Sequence, residues 1–145
     1  MANFMDVINQ WVEETEVKMD DILQTIVLKI GENVVRLSPV DTGRFRGNWQ
    51  LSIDSTTSSS LTRQDLTGDN TLSEIAAIVR NFTAGQIAYL QNHVLYGHDI
   101  EYGTYNGPTP KVTEEGFSRQ APAGVVRITE ERFLRIVNEA VALNK

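Results

Sequence analysis

Three consecutive residues, Asp41-Thr42-Gly43, are the first place where this sequence offers chemistry. A D-T-G loop from each of two halves can present two carboxylates that share one proton and activate water. One copy per chain restricts that chemistry to a symmetric dimer, a homodimeric hydrolase of the aspartic-protease kind with Asp41 as its acid. The surroundings argue against it. Such a loop sits between apolar strands, whereas here it follows a long helical pattern and Pro39, with Arg44 beside it. A neighbouring cation favours the ionised carboxylate, while a proton-sharing pair must keep one proton. No second apolar segment with a glycine bend follows to support the loop. The plainer expectation is a turn in which Asp41 accepts backbone hydrogen bonds and Gly43 takes a conformation closed to other residues.

His93 and His98 are the other group to weigh, with Asp99 and Glu101 close by. Zinc needs three or four ligands in a tetrahedron. The intervening Tyr96-Gly97 reads as a turn that does not bring both rings to one side, and the spacing matches no ligand pattern. Each imidazole is expected to be partly exposed or bonded to backbone. No serine sits in a nucleophile elbow, and Gly43-Arg44-Phe45-Arg46-Gly47 lacks the lysine and preceding strand of a phosphate loop. We therefore assign no catalytic, metal-binding or cofactor-binding residue. Trp11 and Trp49, with Phe4, Phe82 and Phe133, read as core or interface anchors. Tyr89, Tyr96, Tyr102 and Tyr105 stand among Gly and Asn. Such a group suits either a partner-binding surface or a loop packed on its own domain.

The elements that must position these residues follow from periodicity. Phe4, Ile8, Trp11, Thr15, Met19, Ile22, Ile26, Ile30, Val34 and Leu37 recur at steps of three or four, one face of a helix over the first 37 residues. At 1.5 Å per residue that helix is roughly 50 Å long. A domain of this size has a radius of gyration of only about 14–15 Å. Either Gly31 breaks the helix or part of its stripe packs on another subunit. Pro39 ends it. Trp49, Leu51 and Ile53 alternate with polar residues in a first strand over 47–54, and 87–92 is a second. Residues 55–70 read as a mobile Ser/Thr-rich loop and 105–121 as a long extended one. A short helix spans 71–82, capped by Thr71 or Ser73. The last helix covers 129–143, with a start as early as Pro122, and turns Phe133, Ile136, Val137, Ala140 and Val141 inward. Glu130 and Glu131 then favour the positive end of its dipole. Two strands are too few for an isolated sheet, so a third is expected over 123–128 or 111–117, or across a subunit boundary.

The class is thus α+β in a single domain: a long N-terminal helix, a small mostly antiparallel sheet, a short middle helix and a C-terminal helix. At 145 residues the chain sustains a core without staples. With no cysteine it has neither disulfides nor a thiol nucleophile. A formal charge of −6 with scattered Lys and Arg disfavours specific nucleic-acid binding. The N-terminus lacks the basic start of a signal peptide, and no window is long enough to span a membrane, so a soluble protein is expected.

Three stretches taken together resemble one family. Ser38-Pro39-Val40-Asp41-Thr42-Gly43-Arg44-Phe45-Arg46-Gly47-Asn48-Trp49 is similar to the S-P-V-D-T-G-x-[LF]-[RK]-x-x-W segment of phage tail-completion and neck proteins, among them the HK97 gp10-like proteins and the minor tail protein Z group. Tyr96 to Thr104 resembles their Y-x-x-x-[IV]-E-[YF]-G-T segment, and Ala121-Pro122-Ala123-Gly124-Val125-Val126-Arg127 a closing stretch before the C-terminal helix. The order and spacing fit, so the resemblance spans most of the chain.

It implies a non-catalytic structural protein of a tailed-bacteriophage virion. The subunit would form a ring, plausibly a hexamer, at the head-proximal end of the tail. Its partners would be the tail terminator or tail tube and a head-completion or connector protein, with DNA passing nearby. It would be made in the host cytoplasm and reside in the neck. Pro39, Asp41, Thr42, Gly43, Arg44 and Trp49, then Glu101, Tyr102, Gly103 and Thr104, then Pro122 and Gly124, would be structural signature positions. Trp11, Tyr96, Tyr102 and Tyr105 are candidate interface residues. A soluble binding or adaptor module with a long helical arm is the alternative.

Overall fold

The computed structural model describes residues 3–145, apart from the side chains of Trp11, Val12 and Val17. Helix α1 runs unbroken over Phe4–Leu37. Asn3 and Asp6 cap its start reciprocally: the Asp6 N–H donates to Asn3 Oδ1 at 2.9 Å and the Asn3 N–H to Asp6 Oδ2 at 3.4 Å. Gly31 does not interrupt it. An interior glycine costs only about 1 kcal/mol against alanine, and here it lets α2 approach, since a Cβ at Gly31 would stand 3.2 Å from Ile75 Cγ2.

A 3₁₀ turn over Arg46–Asn48 leads into β1 (Trp49–Ile53). After a long loop come α2 (Asp69–Val79), β2 (Ala88–Asn92), α3 (Gly97–Tyr102), a second long loop, α4 (Val126–Glu131) and α5 (Phe133–Leu143). The two strands pair antiparallel, Trp49 opposite Asn92 and Leu51 opposite Leu90. Trp49, Leu51, Ile53, Ala88 and Leu90 share the inner face and pack with Val34, Val35, Ile75 and Val79 of α1 and α2. That helical backing stabilises a sheet too small to stand alone.

Several expectations need correction. No third strand occurs among the described residues: 126–131 is helical, and the 111–117 region contributes only the isolated bridge Val112–Ser118. The middle helix starts at Asp69, so Thr71 lies inside its first turn and is fully buried. The loop over 55–70 is tied down at several points. Gln91 Oε1 accepts the Thr57 N–H at 2.9 Å, and Asn48 Oδ1 accepts the Leu61 N–H at 2.6 Å. The C-terminal helix begins at Val126 and is interrupted at Arg132, whose guanidinium donates to Asn33 of α1 at 3.0 Å. Glu130 and Glu131 therefore sit at the end of α4. Only Ile136 and Ala140 of α5 are fully buried; Val137 is half-buried, while Phe133 and Val141 remain 49% and 39% exposed.

The body covers α1 from Asp20 onward. Asp20 accepts the Ala84 N–H at 2.8 Å, Gln24 donates to the Phe82 carbonyl at 2.7 Å, and Lys29 pairs with Glu139 of α5 at 3.3 Å. Phe4 to Met19 extends beyond that body for about 24 Å, with Phe4 76% and Met19 50% exposed. Among the described residues, no helix is long and apolar enough to cross a membrane.

Candidate functional site

The chain leaves α1 at Ser38, and the turn that follows is closed by its own ends. Ser38 is buried, so its hydroxyl needs partners. It donates to the Val34 carbonyl at 2.5 Å and accepts the indole N–H of Trp49 at 2.8 Å. Arg46 takes up backbone carbonyls left over where α1 ends, donating to Arg36 O at 3.2 Å and Ser38 O at 2.9 Å, and it also reaches Leu66 O at 2.8 Å. Burial lowers the pKa of that guanidinium; Asp65 opposes the shift and Arg36 adds to it.

Gly43 makes the turn possible. Its φ of +85° lies in the left-handed region, and a Cβ there would fall 2.7 Å from the carbonyl carbon of Asp65. Its carbonyl accepts N–H groups from Gly47 at 2.9 Å and Asp65 at 3.0 Å. Asp65, only 4% exposed, then starts α2: its carboxylate accepts the Gly68 N–H at 3.1 Å, the Thr71 N–H at 2.8 Å and the Thr71 hydroxyl at 2.7 Å. Burial pushes this carboxyl up. The bonds from Thr71 and Gly68 and the charge of Arg63 outweigh burial and hold it below the usual carboxylate range. Gly68 holds the N-cap position, and the Asp65 carboxylate is the capping acceptor that the sequence reading missed, with Thr71 as its donor. An Asp three residues before a glycine and six before a threonine, just ahead of an apolar helical face, is the signal that was present.

Asp41 behaves otherwise than expected. The Thr42 hydroxyl accepts the turn's Arg44 N–H at 3.3 Å, while the Asp41 side chain is 87% exposed and lies 3.8 Å from Lys111 Nζ. No described carboxylate faces it across a shared proton. The His93 ring contacts the Thr57 hydroxyl at 2.9 Å, and His98 stacks on Tyr102 with centroids 4.7 Å apart. Neither ring joins a cluster of three metal-ligating side chains among the described residues.

The second and third of the resembling stretches meet at Glu101. Its carboxylate accepts three backbone N–H groups that begin α4, from Val125 and Val126 at 2.8 Å and Arg127 at 2.9 Å. Gly124, at φ +84°, lets the chain pass Glu101, where a Cβ would stand 2.9 Å from the Glu101 carbonyl. Gly103, also left-handed, ends α3 against the ring of Phe117. Thr104 bonds back to Asp99. Tyr102 remains 60% exposed with Arg127 over its ring, and Pro122 is exposed. The first stretch joins the others through Gln120, whose amide clasps Val40: Oε1 accepts the Val40 N–H at 2.7 Å and Nε2 donates to the Val40 carbonyl at 2.8 Å.

Between the signature turn and the 105–121 loop lies an open cleft of about 800 Å³. Pro39, Val40 and Phe45 form one wall and Val112 and Gln120 the other, with Tyr96, Ile100 and Tyr105 also lining it. Arg44, Lys111 and Arg119 stand along it with Asp41 as the one acid. Burial raises the Tyr105 pKa, and Asp99 and Tyr96 add to the rise. Of the candidate interface residues, Tyr96 and Tyr105 line this cleft, and Tyr102 faces solvent away from its lining. The Trp11 side chain lies outside the described residues. Glu101, Gly103, Thr104, Pro122, Gly124 and Trp49 are not part of the cleft. No protein-family model, curated protein or solved structure matches the chain.

Proposed function

We propose that this protein is a structural subunit of a tailed-bacteriophage virion, an adaptor that forms a ring where the tail meets the head. The observation that carries the reading is the joining of the three resembling stretches. Ser38 closes on Trp49, Gln120 clasps Val40, and Glu101 receives the start of α4. Residues up to 80 positions apart thereby form one connected frame. The roles are backbone ones: turns, caps and close glycine approaches. They explain the residue types without invoking catalysis.

The exposed apolar stretch of α1 supports the assembly part of the reading. Phe4, Met5, Val7 and Met19 are each half or more exposed on one helix that the body leaves uncovered. Exposed apolar side chains gathered at Phe4, Met5 and Val7 suit an interaction site. Under this reading the neighbours are further copies and the tail and head-connector proteins, the chain resides in the neck of the particle, and DNA passes without being read.

The test is to locate the protein in purified particles and to delete it. Labelled protein should lie at the head–tail junction, and particles lacking it should accumulate as separate heads and tails. Intact infectious particles without the protein would refute the role.

A further inference from the structure

We infer that the protruding segment of α1 from one copy docks in the cleft beside the Asp41 turn of the next copy. The inference deepens the ring reading and rests on it. Among the described residues two surfaces stand open to solvent, and they lie at opposite poles. The arm, Phe4 to Met19, leaves the body at one end of α1, while the cleft opens beside Pro39 and Val40, just past the other end. Between Met19 and Leu37 the helix is continuous and roughly 27 Å long. An unbroken helix cannot fold back, so the arm cannot reach its own cleft. Only another molecule can bring the two together, and contacts between opposite poles are heterologous, the type that closes into a ring when the rotation between neighbours closes and otherwise runs on as a filament.

Charge selects the cleft over a second arm as the arm's partner. Asp6, Glu13, Glu14 and Glu16 against Lys18 give the arm a formal −3. Arg44, Lys111 and Arg119 against Asp41 give the cleft a formal +2, on a chain whose total is −6. Two arms packed together would bring like charges into contact, whereas arm on cleft brings opposite ones. The apolar parts also correspond. Phe4, Val7 and Ile8 occupy one side of the first two turns at spacings of three and four. The cleft offers half-buried Pro39, Val40, Tyr96, Tyr105 and Val112 above the buried Phe45 and Ile100, and tyrosines suit a surface that is part apolar and part hydrogen-bonding.

The test uses two full-length variants. Phe4→Asp/Ile8→Asp spoils the arm and leaves the cleft intact. Arg44→Glu/Lys111→Glu reverses the cleft through two exposed side chains and leaves the arm intact. Each variant is first matched to wild type in circular dichroism and unfolding midpoint. Sedimentation and native mass spectrometry should then show concentration-dependent oligomers for wild type, with association of each variant weaker by about tenfold or more. An equimolar mixture of the two should give a 1:1 dimer and nothing larger, because one intact arm meets one intact cleft. A third chain, Glu13→Lys/Glu14→Lys/Glu16→Lys, should bind the charge-reversed cleft better than wild type does. Oligomers that survive both variants would overturn the arm–cleft pairing and leave the ring reading standing. A mixture that stays monomeric, or a wild-type chain monomeric up to millimolar concentration, would also overturn the pairing. The virion role is decided separately by the deletion experiment.

Discussion

Glu101 and Arg127 bind each other through both backbone and side chain. The Arg127 N–H donates to the Glu101 carboxylate at 2.9 Å, and the Arg127 guanidinium returns to the Glu101 carbonyl at 2.6 Å. The pair links the end of α3 to the start of α4 across a separation of 26 residues. A carboxylate at a helix start meets both unpaired N–H groups and the positive end of the dipole. Glu101→Ala removes all of its side-chain bonds and should cost about 2–3 kcal/mol in urea unfolding. Glu101→Gln keeps an acceptor oxygen but loses the charge, and should cost about 1 kcal/mol. Hydrogen exchange should speed up first at Val125, Val126 and Arg127; a loss spread evenly over the chain would contradict this role.

The Ser38–Trp49 bond predicts a non-additive pair. Ser38→Ala leaves a buried indole N–H unpaired and should cost about 1–3 kcal/mol. In a Trp49→Phe background the same change should cost less by about 0.5–1.5 kcal/mol, because the orphaned donor is already gone. Equal costs in both backgrounds would show that the bond contributes nothing.

Asp65 gives the fold an acid-sensitive cap. Its folded pKa is below the unfolded value of 3.8, so its contribution is fully present above that value. The contribution is lost as pH falls through the folded pKa, where the carboxylate takes up a proton. Asp65→Asn should be clearly less stable than wild type at neutral pH, and the gap should shrink as the medium is acidified below about pH 4. Urea midpoints for both proteins across that range are the measurement; a gap independent of pH would refute the assignment.

Gly43 tests the turn itself. Gly43→Ala introduces left-handed strain of about 1–2 kcal/mol together with a contact 2.7 Å from the Asp65 backbone. The total should exceed about 2 kcal/mol and detach the 61–68 segment, visible as faster proteolysis there. Asp41→Asn, two residues away, should leave the unfolding midpoint unchanged, since Asp41 and Lys111 are both more than four-fifths exposed.

Features with a local period were legible in the sequence. The steps of three and four from Phe4 to Leu37 gave α1, the alternation around Trp49, Leu51 and Ile53 gave β1, and the proline at 39 marked the end of α1. Features held by long-range polar bonds were not. Gln120 meets Val40 across 80 residues, and Asn92 reaches the Phe45 carbonyl across 47; neither leaves a pattern near its own position. The Ser/Thr-rich loop reads as mobile because it has little to bury, yet Gln91, Asn48 and Gly47 hold it by hydrogen bonds. Apolar residues at 133, 136, 137, 140 and 141 suggested one buried face, but only Ile136 and Ala140 are fully enclosed, Val137 is half-buried, and Phe133 and Val141 lie at its edge. Of the cleft, the tyrosines and the turn were visible separately. They meet where Tyr96 packs against Phe45, with ring centroids 6.3 Å apart.

The helix that spans the molecule also acts as a stiff beam. Its protruding part, about 24 Å, nearly equals the roughly 27 Å embedded in the body, and Asp20 with Gln24 marks the boundary between them. With no proline between Phe4 and Leu37 to set a kink, the arm's direction is tied to that of the embedded part and its far end. That far end is Ser38, where the Trp49 bond and the Arg46 fork anchor the beam beside the cleft.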